Sequence, residues 1–228
     1  MPPLPSADAY IFDIDGTLLV TKDLVQWNAL HQAMLEAYGV DATIEGIQYH
    51  GMTDLSILRA AVARRGVNDS QFEAALSKAL DIVRRDVDRN HREIVPQVCP
   101  GIIQLLEFLK SQQKLLGVAS GNLESVGWHK LEAADLRGFF SFGCFSDHHE
   151  SRAEIFRNAL GCVRARLGSE ARVCFIGDTP SDVKAARQVG ANIIAVASGT
   201  FTADELAAFS PDLCVCHCGE FSFENHSS

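Results

Sequence analysis

Along the chain, apolar residues gather in short runs, separated by stretches where they recur every three to four positions. The first run, Ala9-Tyr10-Ile11-Phe12, ends in Asp13. A short apolar run bounded by polar residues suits a strand buried on both faces. Further runs stand at 115–119, 139–145, 172–176, 192–197 and 212–216. Between them lie helix-like segments at 101–112, 123–134, 151–167, 180–189 and 203–209. Strands alternating with helices predict βαβ units and a parallel sheet. The stretch from Leu24 to Arg89 breaks that alternation. Three helix-period segments, 24–38, 53–65 and 69–89, follow one another, separated by Gly39, Gly51 and Gly66. Asp69 or Ser70 is placed to cap the third. The expected fold is α/β. Residues 1–20 and 96–228 form a Rossmann-like parallel-sheet core, and residues 21–95 form an α-helical domain inserted after the first strand.

Composition removes several classes. With 47% hydrophobic and 21% charged residues the chain is an ordinary globular one. Its formal net charge of −9, without a basic block, makes nucleic acid a poor partner, because that affinity rests on neutralising phosphates. No segment approaches the ~18–20 uninterrupted apolar residues of a membrane helix. The start, Met1-Pro2-Pro3-Leu4-Pro5, has neither a basic n-region nor an apolar h-region, so no secretory signal is expected. The seven cysteines are an odd number and predict a reducing, cytoplasmic setting rather than a disulfide framework. Cys214-Val215-Cys216-His217-Cys218 has the look of a metal cluster. On a strand, however, that spacing merely puts three thiols on one face. Zinc sites favour C-x₂₋₄-C pairs, so these thiols are expected to be buried or incidental.

The sharpest chemical signal is Asp13-Ile14-Asp15-Gly16-Thr17, directly after the first strand. Two carboxylates two residues apart reach the crevice above the sheet end, where open α/β folds bind ligands. Like charges held so close are costly unless a cation or a shared proton offsets them, so a divalent metal is expected. Gly16 permits the sharp turn that follows.

The segment Phe12-Asp13-Ile14-Asp15-Gly16-Thr17-Leu18-Leu19 resembles the first signature of the haloacid dehalogenase-like hydrolase superfamily. Ser120-Gly121-Asn122, after run 115–119, resembles the second. Gly177-Asp178-Thr179-Pro180-Ser181-Asp182, after run 172–176, resembles the fourth. The helical insertion stands where that family carries its cap, in the manner of phosphoglycolate phosphatases and β-phosphoglucomutases.

The resemblance implies phosphoryl transfer through an aspartyl-phosphate, on a small phosphorylated metabolite and with Mg²⁺. Asp13 is then the nucleophile, and Asp15 the general acid and later the base. Asp178 joins Asp13 and the backbone carbonyl of Asp15 at the metal, with Asp182 as a further ligand, an anchor behind the ligands or a water-mediated partner. The Ser120 hydroxyl and neighbouring backbone N–H groups, with Gly121 among them, bind the phosphoryl oxygens at a helix start, and Asn122 stands beside them as donor or simple cap; a plain N-cap is the other reading of Ser120. The third signature, usually a Lys-Pro, has no such pair between 135 and 170. Arg152, just ahead of the helix before the fourth signature, is the best cation for that place. Gly51-Met52-Thr53-Asp54 resembles the family's substrate-contacting cap segment. Thr53 and Asp54 are therefore candidate substrate contacts, with a plain helix cap as the other reading.

A phosphatase is the leading function. A phosphomutase using the same nucleophile is the alternative, and a non-catalytic phosphate-binding protein is the third. Asp15 argues against a dehalogenase, whose family members lack an acid there. A phosphonatase needs a cap lysine, and only Lys22 and Lys78 lie in or near the cap.

Overall fold

The computed structural model describes residues 2–222. Its six-stranded sheet is parallel throughout, in the order β5-β4-β1-β6-β7-β8. The strands are β1 (Ala9–Phe12), β4 (Leu115–Ala119), β5 (Phe142–Cys144), β6 (Val173–Gly177), β7 (Asn192–Val196) and β8 (Leu213–Val215). All four β1 residues are buried, as a central strand covered on both faces requires. One face carries a core that includes Phe12, Leu105 and Leu116. The other carries a core that includes Ile11, Phe156 and Phe175. The helices of the core are α4 (Ile102–Ser111), α5 (Glu124–Ala133), α6 (Arg152–Leu167), α7 (Pro180–Gln188) and the short α8 (Ala203–Ala207).

The strand order positions the chemistry. From β1 the chain moves outward through β4 to β5, then crosses back to β6 on the other side of β1. The progression therefore reverses at β1, and such a switch point opens a crevice above the strand ends. The ends of β4, β1 and β6 lie side by side there. Adjacent strands are about 4.8 Å apart, so the three signature loops meet within one small volume.

The insertion contains α1 (Val25–Tyr38), α2 (Asp54–Ala63) and α3 (Asp69–Asn90) around a core of its own. Asn68 and Gln71 form a reciprocal capping box at the start of α3, one residue ahead of the two cap residues expected. Leu123 and Val126, at the start of α5, are buried within the insertion's core rather than the sheet's. At the root of the insertion, β2 (Leu19–Thr21) and β3 (Pro96–Val98) pair antiparallel, Leu19 opposite Val98. That ribbon was not foreseen, because three residues are too few to show a period of two. The apolar run expected at 139–145 is also divided, with a 3₁₀ turn at Arg137–Phe139 ahead of the short β5. Among the described residues no helix is long and apolar enough to cross a membrane.

Phe175, fully buried on β6, stacks on Phe156 of α6 with ring centroids 4.1 Å apart. Phe175→Ala is expected to cost about 3–5 kcal/mol in urea unfolding, the range for emptying a large aromatic site. A cost near zero would show that this layer of the core collapses freely.

Candidate active site

Asp13 is the first residue beyond β1, and its backbone N–H still donates to the Ile176 carbonyl of β6 at 2.9 Å. The carboxylate is therefore carried by the sheet rather than by a free loop. It is buried, and the guanidinium of Arg152 pairs with its Oδ2. Arg152 is the first residue of α6, and its Nε donates to Asp182 Oδ1 at 2.5 Å. One planar fork thus ties Asp13 to the fourth signature, which an ammonium point charge does less well. Asp182 Oδ2 accepts from the Thr179 backbone N–H at 3.0 Å and from its hydroxyl at 2.7 Å. The first of these, together with the Asp182 N–H donating back to the Thr179 hydroxyl at 3.4 Å, forms the capping box of α7, with Pro180 in the first helical turn.

Asp178 ends the trio. Its Oδ1 accepts from the buried Thr17 hydroxyl at 3.0 Å. Gly16 and Gly199 pack their backbones against its carboxylate so closely that a Cβ on either would overlap it. Gly16 has φ of +79°, so the turn also requires a residue that tolerates the left-handed region. Asp13, Asp178 and Asp182 each offer an oxygen, all within 4.8 Å of one another. Asp13 Oδ1 is buried and has no hydrogen-bond partner among the described residues. An unpartnered carboxylate oxygen beside two others fits a bound cation or an incoming electrophile. Among the described residues no cysteine or histidine joins a group of this kind. Cys214 is half-buried, Cys216 exposed and Cys218 buried.

The crowding of acid registers in the pKa values. Burial pushes the Asp13 carboxyl up to about 7, against the pull of Arg152 and with Asp182 and Asp15 adding to the rise. Burial, then Asp13 and Asp182, raise Asp178 well above the usual carboxylate range.

Asp15 belongs to a second network. Lys130 of α5 places its Nζ 2.8 Å from both Asp15 oxygens, 2.7 Å from Gln26 Oε1 and 3.1 Å from Asn122 Oδ1. Asn122 Nδ2 donates to Asp15 Oδ2 at 2.7 Å and to Ser120 Oγ at 2.9 Å. Asn122 thus tethers Asp15, and it does not cap α5, whose N-cap is Leu123 without a side-chain bond. The Ser120 hydroxyl is buried at the cavity wall.

The insertion closes over both networks. Gly51 lies against Thr179 and Ser181, and a Cβ there would press on both hydroxyls. Asp54 is buried, donates its backbone N–H to the Gly121 carbonyl at 2.8 Å, and accepts from Leu123 N–H at 2.8 Å and Gln26 at 2.6 Å. Burial pushes its carboxyl up to about 6.

A cavity of about 460 Å³ lies between insertion and core. Asp13, Asp15, Ser120, Gly121, Asn122, Arg152, Asp178 and Asp54 all line it. Two expected residues do not. The Thr53 hydroxyl caps α2 by accepting from Ser56 N–H at 3.1 Å, and it also reaches the Glu150 carbonyl. Asp182 is absent from the cavity lining, and its two oxygens already accept hydrogen bonds from Arg152 and Thr179. Four residues were missed: Lys130, Gln26, Thr17 and Ser198, whose hydroxyl donates to the Gly16 carbonyl at 2.7 Å. Lys130 left a trace. It falls on the apolar stripe 123, 126, 127, 130, 131 of its helix, where a lysine needs a buried partner.

The family profile described as haloacid dehalogenase-like hydrolase matches residues 10–196. The phosphoglycolate phosphatase of Synechococcus elongatus is 32% identical over 207 residues, covering 90% of each chain. A protein of Dickeya dadantii named "Probable phosphatase IndB" is 28% identical over 219 residues, covering 90% of this chain and 87% of its own. The crystal structure of CbbY from Rhodobacter sphaeroides in complex with phosphate superposes with a TM-score of 0.69 at 18% identity, covering 94% of this chain and 96% of that one. The chain belongs to the haloacid dehalogenase-like hydrolases, in their phosphatase branch.

Proposed function

We propose that the protein hydrolyses a small phosphorylated metabolite through an aspartyl-phosphate on Asp13. The observation that carries this reading is the state of that side chain. Arg152 holds Oδ2, while Oδ1 is buried and unpartnered in a residue that lines the cavity. An oriented, desolvated carboxylate oxygen is what in-line attack on phosphorus needs. Asp13 Oδ1 forms a bond to phosphorus as the bond to the substrate oxygen breaks, and Asp15 gives that oxygen a proton. Asp15 then takes a proton from water, whose oxygen attacks phosphorus and releases phosphate from Asp13. Ser120 and the backbone at Gly121 would orient the phosphoryl oxygens.

The all-oxygen donor set supports Mg²⁺, with Asp13, Asp178 and the backbone carbonyl of Asp15 as its protein ligands. When bound, the ion offsets repulsion between carboxylates and phosphate and polarises the phosphoryl group. Residues 21–95 would act as a cap that excludes water and reads the leaving group. The name of the Synechococcus relative makes phosphoglycolate the first substrate to test, within a screen of phosphorylated metabolites compared by kcat/KM.

Asp13→Asn is expected to lower turnover of p-nitrophenyl phosphate by ~10⁴-fold or more, the scale on which losing a nucleophile acts. Wild-type activity in that folded variant would overturn the assignment.

A pH prediction follows from the raised carboxyls. Without a divalent ion, folded Asp13 keeps its proton up to about pH 7, whereas the unfolded chain loses it near 3.8. Between those values the folded state binds more protons, so stability falls as pH rises. Metal binding replaces the proton. The rise in Tm caused by Mg²⁺ should therefore be small at pH 5 and large at pH 8, by scanning fluorimetry. An equal rise at both pH values would refute the metal assignment.

A further inference from the structure

Lys130 is 4% exposed in its side chain, and no part of the mechanism above uses it. A buried ammonium is costly unless its donors are satisfied and its charge is paired. Here its partners are the two Asp15 oxygens, the Gln26 amide oxygen and the Asn122 amide oxygen. The one carboxylate among them is the residue two positions beyond the nucleophile. Asp15 itself is not buried: its side chain is 44% exposed, and it lines the cavity. A half-exposed aspartate on a turn samples several rotamers unless something holds it. The ammonium spans both of its oxygens, and Asn122 Nδ2 fixes which one turns toward Ser120.

The network also crosses from core to insertion. Gln26 lies in α1 of the insertion. Its amide oxygen accepts from Lys130, and its amide nitrogen donates to Asp54 at 2.6 Å and Asn122 at 3.0 Å. Asp54 in turn accepts from the Leu123 N–H at the start of α5. Seated in this way, α1 supplies part of the cage around Lys130, and displacing it would remove that part.

We propose that Lys130 is a positioning residue for proton transfer, holding the Asp15 carboxyl in register with the leaving oxygen and tying that placement to Gln26 of the insertion. The proposal rests on the reading of Asp15 as acid and base. The proton that moves belongs to Asp15, and it passes to the substrate oxygen as the phosphorus–oxygen bond breaks and the electron pair stays on that oxygen.

The leaving group tests the idea. A p-nitrophenolate departs with little help from an acid, whereas an alkoxide needs its proton. In single-turnover measurements of the phosphorylation step, Lys130→Met should slow transfer from an alkyl phosphate by about 10²-fold, the scale of a misplaced catalytic group. The release of p-nitrophenolate in that step should change much less, while hydrolysis of the phosphoenzyme, in which Asp15 serves as base, slows alike for both substrates. In an Asp15→Asn background the same change should cause no further loss on either substrate. Equal slowing of the phosphorylation step on both substrates, or a further loss in the Asp15→Asn background, would show a merely structural role. Should Lys130→Met not fold, Gln26→Leu carries the test. It removes one Lys130 partner and should give the same discrimination between leaving groups at smaller size, and uniform activity across leaving groups would overturn the proposal. Full activity in Asp15→Asn itself would instead remove the reading on which the proposal stands.

Discussion

One guanidinium sets the terms for the site. Asp13, Asp178 and Asp182 are all nearly or fully buried, and Arg152 is the cation paired directly with two of them. Three buried carboxylates would be prohibitive unpaired, since each charge taken out of water costs several kcal/mol. Arg152 meets that cost because its Nε and Nη2 point in different directions and pair with different acids. The requirement reaches outward. It fixes the start of α6 beside the end of β1, and it needs the α7 capping box to present Asp182. It also leaves an acidic surplus beside Asp13, which a divalent cation suits.

The two carboxylates of Asp13-Ile14-Asp15 raised a problem of like charge, for which the sequence reading supplied a metal as the answer. The structure adds a second answer: each carboxylate has its own protein cation. Asp13 faces Arg152 and the fourth-signature acids, which suits nucleophilic attack. Asp15 faces Lys130, Asn122 and Gln26, which suits moving a proton. Different surroundings fit the two acids for different tasks, in the way that environment separates neighbouring carboxylates in hydrolytic sites. The strand order makes this separation possible. β6 and α6 bring one cation to one side of β1, and α5, which follows β4, brings the other.

The parallel sheet, the three-helix insertion and the ends of β1, β4 and β6 were legible because long periodic segments carry strong signals. Asp13, Asp178 and Ser120 were legible because each follows an apolar run directly, where strand ends expose side chains. Arg152 could be placed by its order in the chain, although the lysine-proline pair was missing. Asp182 was seen as a residue of the site, but its bonding was not. A capping box and a metal ligand look alike until the partner atoms are known. Thr53 was open between cap and substrate contact for the same reason, and its hydroxyl bonds locally. Lys130 and Gln26 were missed for a different reason: the carboxylate that pairs with Lys130 is 115 residues away, and the partners of Gln26 are 28 or more, separations no local pattern encodes. The paired ribbon β2–β3 joins positions about as distant, and it too escaped.

The helix α5 binds the two parts of the molecule more firmly than the ion pairs around it do. Arg59 with Glu150, and Arg84 with Asp147, link insertion to core near the surface. Pairs of that kind are typically worth ~0–1 kcal/mol each. Leu123 and Val126 are instead buried in the insertion's core, and exposing side chains of that size costs about 1.5–3 kcal/mol apiece. Separating the insertion from the core is therefore cheap only if α5 keeps its apolar contact and the parting occurs at Gly51 and Glu150. Lys130 lies one and two turns farther along α5 from Val126 and Leu123, so the same helix carries both the apolar contact and the buried ammonium. The buried polar network and the apolar contacts that join insertion to core thus lie on one helix, with Asp15, Asn122 and Gln26 of that network lining the cavity.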